Sequence, residues 1–188
     1  MILPRLTSSF LLLIPLVFSN HAAALPNDRE QPIHISANTA EVDDSKGISI
    51  YRGKVNMTQG SIKLKAEQVV IHSDSQGISK LVATGSPAHF QQLPEPNKEI
   101  THAFGKTIEY YVAEERIELK KEAKLEQEQN IFTGERIDYD MKQRIVNAFG
   151  SGSQTSTPSD DTLVNLVIQP TKASSENKTD TEQTGNGQ

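Results

Sequence analysis

Apolar and polar residues alternate along most of the chain between positions 30 and 140. Ile33 and Ile35 flank a histidine, and Val55 and Met57 flank an asparagine. Successive side chains of a β-strand point to opposite faces of the sheet, so a period of two predicts strands with one dry and one wet face. The same alternation recurs at positions 62 and 64, 69 and 71, 117 and 119, and 137 and 139. The chain is therefore predicted to be all-β.

Short polar stretches rich in glycine, serine, aspartate and proline separate these runs. Their spacing, roughly 8 to 12 residues, is typical of antiparallel sandwiches and barrels. The predicted turns lie at 43–47, 59–61, 73–77, 85–87 and 94–97.

The segment 114–129 has the composition of a helix, because it is rich in Glu, Lys and Leu. Its apolar residues, however, lie at 117, 119, 123 and 125, which does not fit a period of 3.6. The spacing predicts two strands around Lys120–Glu122.

An internal repeat relates the two halves of the chain. A shift of 68 positions aligns Val55 with Ala123 and Met57 with Leu125. Stacked β units of this kind bury a shared core, and they leave the first and last strands in need of partners or caps. We therefore expect an elongated antiparallel sheet built from two related halves.

The two ends of the chain are predicted to lie outside the fold. Residues 1–24 have the pattern of a cleaved signal peptide, with Arg5, an apolar core at 10–18 and small residues before the expected cleavage after Ala24. Residues 171–188 lack large apolar side chains and are predicted to form a disordered tail. The domain is thus expected to span 25–170.

The last apolar run of this domain is expected to form a terminal strand. It occupies 163–168, after a polar stretch at 150–161 that has the composition of a loop. Pro170 is expected to end that strand, because proline cannot donate to a β ladder.

Composition narrows the classes of function. The chain contains no cysteine, which excludes both a disulfide-stabilised fold and a lipoprotein with a lipidated cysteine at its cleavage site. Its net charge of −5, and −6 once Arg5 is removed, disfavours nucleic-acid binding. An exported protein that is soluble after cleavage is the expectation.

No catalytic, cofactor or metal motif is evident in the sequence. The histidines of the expected mature chain, at 34, 72, 89 and 102, lack the close spacing that builds a metal site. Paired acids fall in predicted turns, where solvated carboxylates are usual. An enzyme acting on envelope glycans would need converging carboxylates, and the sequence shows no sign of them.

One stretch resembles a known family. The element Tyr-x-Gly-x-Val-x-x-x-Gln-Gly at 51–60, followed by Ala66-Glu67, is similar to the repeat of the LptA/OstA-like family of periplasmic lipopolysaccharide-transport proteins. The resemblance extends over roughly 30–168. The second copy departs from it, since Lys120–Ala123 stands where Tyr51–Val55 is expected. Identical geometry in the second half is therefore in doubt.

The resemblance implies a twisted antiparallel β-jellyroll, open at both ends, with an apolar groove that shields acyl chains of lipopolysaccharide. It further implies docking on an LptC-like inner-membrane protein at the N-terminal end, on an LptD-like outer-membrane protein at the C-terminal end, and head-to-tail self-association. Open sheet edges suit such contacts, because unpaired backbone groups can add a strand from another chain. The edge residues expected to bind partners are Pro32, Ile33, Ile35, Leu163, Val164, Leu166 and Ile168.

Ten residues are the candidate lipid contacts. Some match family positions that imply contact with lipid, and the others lie on the inward phase of the alternation. The candidates are Ile33, Ile35, Val55, Met57, Leu64, Phe90, Tyr110, Val112, Leu119 and Leu125. Lys63 and Lys65 are expected to face outward. The same apolar residues could also fill an ordinary core, so a structural or adhesive exported β protein that carries no lipid is the alternative.

Overall fold

The computed structural model describes residues 28–151 and 163–169. The predicted signal peptide at 1–24, the predicted tail at 171–188 and most of the predicted loop at 150–161 lie outside these residues.

In the described part of the chain, ten antiparallel strands follow one turn of 3₁₀-helix at Asp28–Glu30. The strands are β1 (His34–Ser36), β2 (Thr39–Asp43), β3 (Ile48–Gln59), β4 (Ile62–Asp74), β5 (Gly77–Gln92), β6 (Thr101–Tyr111), β7 (Arg116–Gln127), β8 (Asn130–Asp140), β9 (Ile145–Phe149) and β10 (Asn165–Val167). The all-β prediction is confirmed.

The six long strands, β3 to β8, pair in chain order and form one meander. Each edge of the sheet is split into two short strands. At one edge β1 and β2 both pair with β3, and at the other β9 and β10 both pair with β8. Within the described residues these edge strands pair on one side only, so the sheet is open.

The predicted alternation fixes which face of the sheet is dry. Ile62 and Leu64 are buried on β4, whereas Lys63 and Lys65 between and beyond them are exposed, as expected. The same alternation of buried and accessible residues runs through most of β3 to β8, and β7 departs from it at Glu118, which is buried between Ile117 and Leu119.

Irregularities interrupt the ladders near the middle of the long strands. The register shifts lie between Arg52 and Val55, Lys65 and Gln68, Thr84 and Ala88, Phe104 and Thr107, and Lys120 and Ala123. Such bulges add residues to one strand and bend it. The predicted turn at 85–87 is wrong, because these residues form the bulge inside β5. Turn-forming residues also serve bulges, so composition alone did not distinguish the two.

The predicted strand pair around Lys120–Glu122 is likewise a single strand, β7, bent at a bulge. The doubt about the second copy is resolved at this position. Gly53 and Lys54 have φ of 81° and 48°, and residues 68 positions later, Lys121 and Glu122, have φ of 62° and 55°. The second half therefore keeps the bulge of the first without its glycine.

Candidate functional site

The bends divide the sheet into two arms that face each other. Arm A comprises 55–66, 88–105 and 123–134, and arm B comprises 48–52, 68–84, 107–120 and 136–140. Side chains meet across the space between the arms. The rings of Phe90 on arm A and Tyr110 on arm B have centroids 5.8 Å apart. The Gln127 Nε2 of arm A donates to the Tyr139 hydroxyl of arm B at 2.8 Å.

All ten candidate lipid contacts lie in this one interior. Seven of them are almost inaccessible, at 0–2% exposed: Val55, Met57, Leu64, Phe90, Tyr110, Leu119 and Leu125. Ile33, Ile35 and Val112 are partly buried and pack against the same cluster. The alternation therefore predicted correctly which side chains point inward, and whether they touch lipid stays a prediction.

The interior is filled along its middle. Residues from every long strand take part, and the side chains of Val69, Ile117 and Ile137 are 0% exposed. The expected open trough is therefore absent from this conformation in the described residues. An acyl chain can occupy the interior only if the two arms move apart.

Open space remains where the chain enters the fold. A cavity of ≈ 360 Å³ is lined by Ile62, Leu93, Tyr110 and Met141 among others. A second cavity of ≈ 650 Å³ is lined in part by Ile33 and Val112.

Burial raises the pKa of Tyr110 to about 12, and its hydroxyl has no hydrogen-bond partner among the described protein atoms. The phenol thus remains neutral, with a donor available at the edge of the apolar interior.

The segment 28–31, here called the strap, separates the two cavities, because Arg29 and Gln31 line both. On arm A, Asp28 Oδ1 accepts from the Ser61 backbone N–H at 2.6 Å, and its Oδ2 accepts from the Gln92 amide at 3.2 Å. On the arm B side, Arg29 Nη1 lies 2.9 Å from Glu115 Oε1, in the turn that follows β6. The strap therefore bridges the two arms with polar contacts.

A second polar bridge lies further along the rim, which is the accessible border where the two arms meet. Arg144, in the turn after β8, pairs with Glu128 in the turn after β7 and lies 3.6 Å from Glu95 in the loop after β5. The Glu128 pKa is lowered by hydrogen bonds from Arg144 and Lys98. Both bridges sit at the accessible rim, where ion pairs are weak in water. They hold the arms together without making separation costly.

The outer face of arm B carries a charged network centred on Glu118. This carboxylate pairs with Arg116, and its Oε2 lies 3.1 Å from Lys120 Nζ and 3.7 Å from Arg136 Nη2. Burial alone would raise the pKa of Glu118, but the hydrogen bonds from Arg116 and Lys120 outweigh it, and the pKa is lowered. The network stabilises the wet face of the sheet and lies away from the interior.

Both predicted partner edges are present, but each contains a second short strand that was not predicted as an edge. Leu163, Val164, Leu166 and Ile168 are exposed in or beside β10, with Leu163 at 70%. Pro32 is exposed, whereas Ile33 and Ile35 are partly buried and pack against the core. Sequence reasoning missed the two other edge strands, β2 and β9, which expose Val42, Ile145 and Phe149. Each has only five residues, β2 after a bend at Asn38 and β9 after the turn at 141–144, and so short a stretch gives little alternation to recognise.

The structure brings together two histidines that are distant in the sequence. His89 Nε2 and His102 Nδ1 lie 3.0 Å apart on neighbouring strands. No group of three His, Cys, Asp or Glu side chains suited to a metal occurs in the described parts of the chain. Likewise, no helix at 28–151 or 163–169 is long and apolar enough to cross a membrane.

Comparison with known proteins defines the class. Residues 34–145 match the family model described as "LptA/(LptD N-terminal domain) LPS transport protein". Together with the open, bent antiparallel sheet, this match shows that the chain belongs to that family of lipopolysaccharide-transport proteins.

Individual relatives cover most of the chain. The lipopolysaccharide export system protein LptH of Pseudomonas aeruginosa is 44% identical over 168 residues, which are 85% of this chain and 95% of the relative. LptA of Escherichia coli K12 is 30% identical over 68% of this chain and 70% of its own length.

A solved structure agrees with the fold. The crystal structure of LptH, described as the LptA homologous periplasmic component of the lipopolysaccharide transport device of Pseudomonas aeruginosa, superposes with a TM-score of 0.69. The superposition covers 77% of this chain and 100% of the LptH chain, and the two are 44% identical in sequence. The predicted family and its β-jellyroll fold are thereby confirmed.

Proposed function

We propose that this protein carries lipopolysaccharide across the periplasm and shields the acyl chains between arms A and B. The observation that carries the proposal is the single apolar interior to which every long strand contributes alternate side chains. The chain acts as a carrier and changes no covalent bond of its cargo.

The energetic need for such shielding is large. Exposing one acyl chain of about a dozen methylenes to water costs on the order of 10 kcal/mol, at ~0.8 kcal/mol per CH₂, and a lipopolysaccharide has several such chains. Inward-pointing residues on consecutive strands can form an apolar lining that runs the length of the sheet. The lipid then exchanges one apolar environment for another and its head group stays in water.

Entry of the lipid requires the arms to separate. The cavities beside the strap give acyl chains a starting point, since Ile33, Tyr110 and Val112 line them. The strap contacts and the Arg144 pairs are polar and only partly buried, so water can replace them when the rim opens. Inside the opened interior, the acyl chains themselves pack against the apolar side chains that the two arms bury against each other in the closed form.

Photo-crosslinking in cells tests the proposal. A photoreactive amino acid at Ile35, Phe90 or Tyr110 is expected to give covalent adducts with lipopolysaccharide. The same residue at Lys63 or Lys65 serves as the matched control, because these side chains lie on the opposite face of β4. Adducts at the outward positions alone, or at none, would contradict the proposal.

The location and the partners belong to the same proposal. Export by the segment 1–24 and its removal would leave the chain in the periplasm. The edge at β1 and β2 would dock on an LptC-like inner-membrane protein, and the edge at β9 and β10 on an LptD-like outer-membrane protein or on a second copy. The exposed Leu163, Leu166 and Ile168 support this, since they adjoin a strand edge that no other described strand pairs with.

Sequencing the N-terminus of the purified protein tests the expected cleavage after Ala24. Docking is tested by replacing Leu166 with proline, which removes a backbone donor from β10. The variant is expected to lose crosslinks to its C-terminal partner while Phe90 still crosslinks to lipid. Unchanged partner crosslinks would exclude β10 as the docking edge.

The filled interior favours one alternative function, that of a structural or adhesive exported β protein. Such a protein would use its edges to bind partners and keep its core closed. It would give no lipid adduct at Ile35, Phe90 or Tyr110 while its edge crosslinks persisted. The same experiment therefore separates the two functions.

A further inference from the structure

Two histidines converge on the outer face of arm A. On β5 and β6, Phe90 and Ala103 are opposite each other and point inward, so His89 and His102 beside them point outward. His89 Nε2 and His102 Nδ1 are 3.0 Å apart and share a hydrogen bond. The two histidines are 13 positions apart in the chain, and the register of the two strands brings them together.

The position of His89 is fixed by its neighbours. Its ring stacks on Phe104 with centroids 4.4 Å apart and an interplanar angle of 5°. Both histidines are half-buried and belong to central strands of the sheet. Side chains that are held on regular strands keep their spacing, which favours a preorganised site.

The charged groups around the pair come from the flanking strands. Lys65 on β4 lies opposite His89, and Glu126 on β7 lies opposite His102. The Glu126 carboxylate pairs with Lys124 Nζ at 2.6 Å, and Lys124 also lies over the Phe104 ring. Glu126 therefore places a negative charge next to the pair, and its effect opposes that of Lys65.

The spacing of the two nitrogens suits one metal ion. Two nitrogens on a tetrahedral ion at ~2.0–2.1 Å each lie roughly 3.3 Å apart, only a few tenths of an ångström beyond the observed separation. Imidazole is a preferred ligand of Zn²⁺ and Cu²⁺. The hydrogen bond between the two ring nitrogens requires one of them to be an unprotonated acceptor, so at least one imidazole of the pair has a free lone pair at this point. Neutral imidazole is the form that binds metal.

We propose that His89 Nε2 and His102 Nδ1 form a bidentate site for a late first-row divalent metal ion, Zn²⁺ or Cu²⁺, on the outer face of arm A. The proton now shared between the two nitrogens moves to the other nitrogen of its own ring, so that both lone pairs reach the ion. Water completes the coordination. The bound ion fastens β5 to β6 beside their bulges and is independent of the apolar interior.

Metal titration of the full-length, tag-free protein tests the site. Zn²⁺ and Cu²⁺ are expected to bind once per chain, and the Cu²⁺ electron paramagnetic resonance spectrum is expected to show two imidazole nitrogens. At ~100 times the Kd the metal should raise Tm by about 5–10 °C. Mg²⁺ should do neither, because it prefers oxygen ligands.

Variants separate this site from other histidines. His89→Gln and His102→Gln should each weaken binding at least about tenfold, since a single imidazole remains. His34→Gln and His72→Gln are the matched controls and should leave binding unchanged. Equal binding by the His89→Gln/His102→Gln double variant, or no binding of either ion at millimolar concentration, would overturn the proposal. Either result would leave the lipid-crosslinking test of the interior unaffected.

Discussion

The rings of Phe90 and Tyr110 have centroids 5.8 Å apart although they lie far from each other along the same strand pair. Phe90 is opposite Ala103, seven residues before Tyr110 on β6. A straight strand would place those two positions roughly 23 Å apart at ~3.3 Å per residue. The contact therefore exists only because the bulges fold arm A onto arm B. It marks the place where the two arms close over the interior.

Replacement of Phe90 by alanine is expected to lower the free energy of unfolding by about 3–5 kcal/mol, because it leaves a cavity between the arms. Urea denaturation followed by circular dichroism measures the loss. Lys65→Ala on the exposed face should change stability by no more than about 0.5 kcal/mol. Similar small losses for both variants would mean that the arms do not pack on Phe90.

Glu118→Gln is expected to lower the free energy of unfolding by about 1.5–3 kcal/mol, the range for hydrogen bonds to charged groups. The Glu118 side chain is 11% exposed, and loss of its charge leaves Arg116, Lys120 and Arg136 close together without a shared carboxylate. Glu122→Gln is the matched control, because the Lys106–Glu122 pair is exposed and should contribute little. Thermal and chemical unfolding should rank the two variants in this order.

The same carboxylate predicts a dependence of stability on pH. Its folded pKa lies below the ordinary value of 4.5, so its contribution is present above that pH and is lost as pH falls through the lowered value. The free energy of unfolding of the wild type should therefore decline below about pH 5, and that of Glu118→Gln should decline less steeply. Parallel pH curves for the two proteins would contradict this account of the network.

The repeated bulge predicts opposite effects at equivalent positions. Lys121 adopts φ of 62°, which costs a residue with a Cβ about 1–2 kcal/mol, whereas glycine tolerates it. Lys121→Gly should therefore raise stability by about 0.5–1 kcal/mol after the entropy of glycine is counted. Gly53→Ala should lower stability, because φ is 81° and the added Cβ would meet Asn38 Nδ2 at 2.6 Å. Lys121→Ala is the control and should be nearly neutral.

Loosening the strap is expected to open the rim. Asp28→Ala removes the acceptor for Ser61 and Gln92 and should cost about 1–2 kcal/mol locally. Hydrogen–deuterium exchange should then rise near 60–62 and 92–93, and a photoreactive residue at Tyr110 should capture lipopolysaccharide faster. Asp140→Ala loses only a turn contact to the Gln143 N–H, so it should raise neither quantity. Slower lipid capture by Asp28→Ala would mean that the strap holds lipid in place instead of closing the rim.

Much of the fold can be predicted from the alternation of apolar and polar residues, because that alternation indicates which side of a strand is buried. The alternation at Val55, Met57, Ile62 and Leu64 identified inward side chains, and the structure buries all four. Pattern does not record how a strand bends. The bulge at 85–87 was therefore mistaken for a turn, and the packing of Phe90 on Tyr110 could not be foreseen.

Register was the second quantity that the sequence did not reveal. The loop between β5 and β6 separates His89 from His102, and its length alone does not tell which residues of the two strands are opposite each other. Both histidines do share the outward phase of their strands, and this signal, joined to a known register, would have paired them. The split edges were missed for a related reason, since β2 and β9 have five residues each.

The meander makes this architecture extensible. The long strands β3 to β8 pair with one another strictly in chain order, and the bulge at 53–54 returns 68 residues later at 121–122. One more unit of that length, inserted after β8, would extend both arms and leave each earlier pair of strands intact. Tandem duplication within a single chain could thus lengthen the sheet in whole units, with the same two capping edges at its ends.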